Sequence, residues 1–197
     1  MSKNLGKILT TQKTGNEPLS FDHQEIGLKL VDFWQWSVSD LISNATRGRF
    51  AEFIVASALK INLGIVRDEW GAYDLESPEG IKIEVKSAAY LQAWNQNDFS
   101  KISFSIKPSI YLDSETFKKT ESRRHADLYV FCLLNHKDKA TLDPMKLDQW
   151  EFFVVSTAML DNYKRSRSSI TLKSLENLTS PVKYDKLRQT ILEKFNS

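Results

Sequence analysis

Residues 73–86 read YDLESPEGIKIEVK, a pattern typical of two short strands joined by a tight turn. Pro78 suits the first central position of a type I turn, and Gly80 suits the left-handed position that follows it. A two-residue loop would set Asp74 against Ile83 and place a carboxylate on the apolar face. The alternation therefore favours a three-residue loop, because side chains on a strand point to opposite faces in turn.

This register creates one favourable and one unfavourable pair across the hairpin. Glu76 lies opposite Lys82, whereas Asp74 lies opposite Glu84, and two like charges so close are destabilising unless a cation sits between them. A divalent cation such as Mg²⁺ is one solution, since it binds carboxylate oxygens and water. Lys86 shares the polar face with Glu84 and is placed to stabilise charge on a phosphate.

A structural explanation of the hairpin stays open at this point. The chain has 25 acidic and 27 basic residues, so an acid-x-base triplet such as Glu-Val-Lys at 84–86 arises readily by chance. The polar face of a half-exposed strand has the same pattern.

The segment 50–59, FAEFIVASAL, predicts a buried helix, because its apolar residues cover nearly the whole circumference. Glu52 is its only charged residue. A buried carboxylate needs a cation, a metal ion or a polar cleft nearby. Arg49, three residues earlier on the same helix face, is the alternative partner in an internal salt bridge.

The remaining pattern predicts an α/β (α+β) fold with a central mixed sheet of four to five strands flanked by helices. We expect one domain over 1–197, with a loose N-terminal arm at 1–20 and a core at 44–163. Helices are expected at 25–39, from Asn44 or Thr46 to Leu63, at 157–163 and at 184–195. Strands are expected at 65–68, 73–77, 81–88, 102–106, 128–134 and 152–156.

Composition and charge set limits on the class of protein. The 197 residues are 41% hydrophobic and carry a net charge of +2, less basic than a protein that coats DNA. The longest apolar run is too short to cross a membrane, and no secretory signal is expected, because the first residues lead into polar ones. A single cysteine indicates a reducing compartment. These features predict a soluble, cytoplasmic protein that does not bind membranes.

The motifs together resemble the PD-(D/E)XK nuclease superfamily, the restriction-endonuclease-like fold. The resemblance runs from about Thr46 to Ser156, which makes the core at 44–163 nuclease-like. It rests on RGRFAE at 47–52, Asp74, and Glu-Val-Lys at 84–86. Tyr73 stands where the family usually has proline. Gln92 and Gln96 match weakly an accessory glutamine that often follows the motif.

The resemblance implies cleavage of DNA phosphodiester bonds by direct attack of a metal-bound water, most simply by an endonuclease. Mg²⁺ is the implied cofactor, and Mn²⁺ is expected to substitute for it. Asp74, Glu84 and the backbone carbonyl of Val85 would hold the metal. Lys86 would orient the water, and Glu52 would complete the metal shell or bind a second ion.

DNA is the expected partner, and a homodimer is one assembly that the sequence allows. Phosphate contacts are expected from basic residues, namely Arg47, Arg49, Lys101, Arg123 and Arg124. Two alternatives remain: a catalytically silent domain of the same fold that binds nucleic acid or a protein, and an interaction domain whose five tryptophans form its surface.

Overall fold

The structure is a computed structural model, and it describes residue 6 and residues 8–111 and 119–197. The described residues fall into two compact units. The smaller unit contains the described residues up to Ser39 together with Asn62–Asp68, and the larger contains Asp40–Ile61 and Glu69–Ser197. The single domain over 1–197 stays a prediction.

The smaller unit contains an antiparallel hairpin, β1 (Pro18–Phe21) and β2 (Gln24–Lys29), followed by helix α1 (Leu30–Val38). The predicted helix over 25–39 is therefore wrong in its first third, residues 25–29, which belong to β2. The turn between the strands has positive φ at both central residues, 48° and 64°, a backbone that favours hairpins. Strand β1 also takes in the last residues of the predicted loose arm.

The larger unit contains the remaining elements. In chain order, its α-helices and β-strands are α2 (Asn44–Ala58), β3 (Leu75–Glu76), β4 (Lys82–Ala89), β5 (Ser103–Ser105), β6 (Leu128–Leu134), β7 (Trp150–Ser156), α3 (Thr157–Asp161), β8 (Ser169–Thr171), α4 (Leu172–Glu176) and α5 (Tyr184–Phe195). A 3₁₀ helix, Leu147–Gln149, precedes β7.

The main sheet has the strand order β3-β4-β6-β7, with β4 and β6 parallel and the other pairs antiparallel. Every residue of β6 is buried, because the strand is central and both its faces are covered. Helices α2 and α5 pack on one face, while β5, β8, α3 and α4 contribute to the core on the other. The predicted α+β fold with a mixed sheet flanked by helices is confirmed.

Several predicted bounds change in the structure. Helix α2 ends at Ala58 rather than at Leu63, and Lys60 just beyond it has a φ of 58°, which a helix cannot accommodate. The expected strand at 65–68 does not form. Strand β5 pairs with β8 in a separate two-stranded sheet, and neither β8 nor α4 was predicted, since both segments are short.

Helix length and hydropathy together decide whether a helix can cross a bilayer. None of the helices in the described part of the chain is both long enough and apolar enough to span a membrane.

Candidate active site

The β3–β4 hairpin has the register expected from its turn. Ser77 N donates to Ile81 O at 3.0 Å, and Gly80 N donates to Ser77 O at 2.9 Å. Gly80 has a φ of 81°, a conformation that glycine adopts without strain. Glu76 pairs with Lys82 across the strands, so Lys82, Glu84 and Lys86 fall on one face of β4.

Asp74 lies just before β3 and is held against β4 by two hydrogen bonds. Its backbone N donates to Ile83 O at 3.1 Å. Its Oδ2 atom accepts a hydrogen bond from Val85 N at 2.7 Å. The carboxylate is therefore anchored to the stretch of β4 that carries Glu84 and Lys86.

Glu84 and Lys86 form an ion pair between Oε1 and Nζ. Their side chains are 20% and 29% exposed, respectively. Burial raises the pKa of Glu84, the charge of Asp74 raises it further, and Lys86 and His125 lower it. The structure thus brings the two carboxylates and the amine together, with Asp74 close enough for its charge to act on Glu84.

This donor set fits Mg²⁺. Mg²⁺ keeps several waters in proteins and is typically bound by one or two carboxylates together with substrate phosphates. The described residues contain no group of three or more Asp, Glu, His or Cys side chains that would form a complete metal cage. Two adjacent, partly exposed carboxylates match the incomplete shell that Mg²⁺ prefers, and they do not match a closed structural zinc site.

Glu52 occupies a different position in the site region. It lies on α2, the helix that packs against β4, and is partly buried. Its charge and that of Asp74 both contribute to raising the pKa of the buried thiol of Cys132, although burial is the largest cause. Among the described side chains, Glu52 does not join Asp74 and Glu84 in a three-carboxylate group.

The predicted phosphate contacts differ in how accessible they are. Arg49 is exposed and pairs with Glu69 at 3.4 Å, while Lys101 and Arg123 are also exposed. The Arg124 side chain is only 2% exposed and forms an ion pair with Asp161. Its other nitrogens donate to Ile106 O and Arg167 O, so each of its three nitrogens is bonded to an oxygen of the protein.

A polar cleft of about 510 Å³ has Val85 and Lys86 in its wall, and Lys86 connects it to the carboxylate pair through its ion pair with Glu84. Arg47 lines the cleft and is 4% exposed. Gln92 is also in the wall, and its Nε2 atom donates to Ser100 Oγ at 3.0 Å.

The glutamine pair predicted as accessory braces the loop after β4. Gln96 Oε1 accepts a hydrogen bond from Gln92 N at 2.7 Å, and Gln96 Nε2 donates to Ser100 Oγ at 3.1 Å. Asn44 and Ser103 also line the cleft. Sequence reasoning missed both, because nothing in their local pattern distinguishes them from other surface polar residues.

A stability prediction follows from the raised pKa of Glu84. A carboxyl whose pKa is raised by folding favours the folded state at low pH, and this contribution is lost as pH rises through the folded pKa. In metal-free buffer at pH 8, Glu84→Gln is expected to melt about 1–3 °C above the parent protein. The difference should shrink as the pH falls through the raised pKa of Glu84 and should be nearly gone at about pH 4, where an unperturbed glutamic acid also becomes protonated.

Thermal melts from pH 4 to pH 8 measure this difference. Added Mg²⁺ should stabilise the parent more than the variant, because a ligand stabilises the state that binds it. A variant that melts below the parent at every pH would contradict the interpretation that Asp74 and Glu84 repel each other.

A known protein family matches most of the chain. The sequence profile described as Bacteriophage T4 endonuclease IV matches residues 31–174. The match is more than half of the chain and takes in α2, the β3–β4 hairpin and the cleft. No curated protein matches the chain. With the carboxylate pair and its neighbouring lysine inside the matched region, the chain belongs to the bacteriophage T4 endonuclease IV family, a family of nucleases.

Proposed function

We propose that this protein is a Mg²⁺-dependent endonuclease that hydrolyses phosphodiester bonds of DNA, with a site of the PD-(D/E)XK type. Membership of an endonuclease family supports the reaction class. The observation that carries the proposal is the carboxylate pair of Asp74 and Glu84 beside Lys86, at a cleft of about 510 Å³.

Asp74 and Glu84, with the carbonyl of Val85, would hold the metal ion. When bound, Mg²⁺ lowers the pKa of a coordinated water and offsets negative charge on the phosphate. Mn²⁺ is expected to support the same reaction. Glu52 would act from α2 as a further acidic group, or help to bind a second ion.

The chain's own residues orient the reactants. The Val85 N–H fixes the Asp74 carboxylate, so the acid does not have to be ordered when substrate binds. Lys86, which lines the cleft, would donate a hydrogen bond from its amine to the attacking water and stabilise charge on the phosphate. The water oxygen would bond to phosphorus and give up one proton to solvent, the bond from phosphorus to the bridging oxygen would break, and the leaving oxygen would take up a proton from solvent.

Basic residues around the site would hold the DNA backbone. Arg49, Lys101 and Arg123 are exposed and suited to phosphate contacts. Arg124 would stabilise the surrounding structure and would not contact phosphate directly, since its guanidinium is bonded to protein oxygens. A homodimer stays a prediction.

Plasmid cleavage tests the proposal directly. The purified protein would be incubated with supercoiled plasmid, linear duplex and single-stranded DNA, each with Mg²⁺, with Mn²⁺ and with EDTA. We expect cleavage with either metal and none in EDTA. Cleavage that persists in EDTA would refute the metal dependence. Binding of DNA without cleavage under any of these conditions would favour the catalytically silent domain.

A further inference from the structure

Arg47 is a buried cation whose described hydrogen-bond acceptors are all neutral. Nε donates to Ser87 Oγ at 3.1 Å, and Nη2 donates to Asn44 Oδ1 at 2.7 Å. Nη1 donates to Ile42 O at 2.8 Å and to Gln92 Oε1 at 3.3 Å. A guanidinium has five N–H donors, so one Nη2 hydrogen has no acceptor in the described part of the chain.

Arg47 has no carboxylate partner in an ion pair within the part of the chain that the structure describes. Burial lowers the pKa of its guanidinium, and the charge of Asp40 only partly opposes this effect. A buried charge without a close counter-ion is destabilising, so the position favours binding of an anion.

The cleft that Arg47 lines also carries an excess of positive charge. Its cationic side chains are Arg47, Lys86 and Lys101, and no described residue in its lining is acidic. Ser87 and Ser100 also line the cleft, and each hydroxyl has a hydrogen that it can donate. A cleft of about 510 Å³ falls within the size range of ligand sites in proteins.

We propose that this cleft binds a backbone phosphate of the substrate strand next to the phosphate that is cleaved, with Arg47 and Lys101 as its cationic ligands. The identity of the anion rests on the proposed function. Lys86 connects the two positions, since it lines the cleft and pairs with Glu84. The subsite would hold the strand so that the next phosphate meets the carboxylate pair.

Methylphosphonate scanning tests this subsite. In each of a series of short DNA oligonucleotides, one phosphate is replaced by a neutral methylphosphonate. Their affinity for the Glu84→Gln variant of the 197-residue chain is measured in EDTA by fluorescence anisotropy, so that no cleavage interferes. We expect the modification at one position to weaken binding about tenfold or more, as loss of a hydrogen bond to a charged group does.

Further substitutions, made in the Glu84→Gln protein, test whether the sensitive phosphate binds in the cleft. Lys101→Gln and Arg47→Met should weaken binding of the unmodified oligonucleotide, with no further loss when the sensitive phosphate is already neutral. Lys186→Gln on α5, an exposed lysine outside the cleft lining, is the matched control and should retain this sensitivity. If Arg47→Met does not fold, the scan and Lys101→Gln still decide the result.

Two outcomes would overturn the subsite: equal sensitivity at every phosphate, or a Lys101→Gln variant that behaves like the Lys186→Gln control. Cleavage by the parent protein is measured separately. If the protein cuts DNA but the Lys101→Gln variant stays as sensitive to the neutral phosphate as the control, the subsite is refuted and the nuclease activity stands. If the cleft variants do remove that sensitivity but the protein never cuts DNA, the proposed nuclease activity is refuted and the anion site stands.

Discussion

Glu84→Gln is expected to lower the rate of Mg²⁺-dependent DNA cleavage by at least about a hundredfold. The glutamine keeps the shape of the side chain but removes the negative charge that a divalent cation needs. Glu84 shares its face of β4 with Lys86 and lies within electrostatic reach of Asp74. Loss of one of two acidic ligands leaves a site with little affinity for Mg²⁺. Single-turnover cleavage of labelled DNA measures the effect.

Glu76→Gln is the matched control for this variant. Glu76 is on the same hairpin and pairs with Lys82 across the strands. Its Oε2 atom accepts a hydrogen bond from the Tyr73 hydroxyl at 2.5 Å. We expect this variant to cut at the parental rate, with a circular dichroism spectrum like that of Glu84→Gln. A Glu84→Gln variant that cuts as fast as the parent would exclude Glu84 as a metal ligand.

Calorimetric titration separates metal binding from catalysis. The parent should release or absorb heat when Mg²⁺ or Mn²⁺ is added, and the heat should be lost in Glu84→Gln and kept in Glu76→Gln. The pKa of Glu84 is raised, so protons compete with the metal ion for this carboxylate at a higher pH than usual. As the pH is lowered, metal affinity should therefore begin to fall at a higher pH than it would with an unperturbed carboxylate. Equal heats in the parent and in Glu84→Gln would place the metal site elsewhere.

Lys86→Met is expected to reduce the cleavage rate by about a hundredfold to a thousandfold. Methionine keeps an unbranched side chain of similar reach but has no amine to stabilise charge on the phosphate. The effect should appear in kcat more than in KM, because a group that acts mainly on the transition state changes the rate of the chemical step. Steady-state kinetics on one DNA substrate gives both constants.

Lys82→Met controls for the loss of a lysine from the same strand face. The Lys82 amine lies 5.6 Å from the centroid of the Tyr73 ring, and its backbone N donates to Asp127 Oδ2 at 2.9 Å, a bond that the substitution leaves in place. This variant should cut at the parental rate. If both lysine variants lose activity to the same extent, the positive charge of Lys86 serves only to attract DNA. A specific role of Lys86 at the reacting phosphate would then be excluded.

The local sequence was sufficient to predict those elements whose structure depends on residues close together in the chain. Strand β6 was predicted with the bounds that the structure gives, because an unbroken apolar run in the middle of a sheet buries both its faces. Helix α5 was predicted with its observed bounds as well. The β3–β4 register follows from Pro78 and Gly80, since turn geometry sets the pairing, and this register brings Asp74 to Glu84.

Helix α1 shows where a local signal is ambiguous. The alternating apolar residues of β2 also fit a helical spacing over a short window, so β2 was taken as part of the helix. Strand β8 and helix α4 are three and five residues long. Elements of this length form because other segments pack against them, which no local pattern reveals.

The cationic residues depended most on tertiary structure. Arg47 and Arg124 have the same charge as the exposed Arg49 and Arg123, so all four had the same expected role before their surroundings were known. Packing of α2 against β4 buries Arg47 in the cleft wall, and Asp161 pairs with Arg124 from α3. Residues 40 or more positions away in sequence supply some of these contacts, including Ser87 for Arg47. Hydrophobic alternation and turn residues act between near neighbours in the chain, whereas burial and the partners of a charge depend on which distant segments meet.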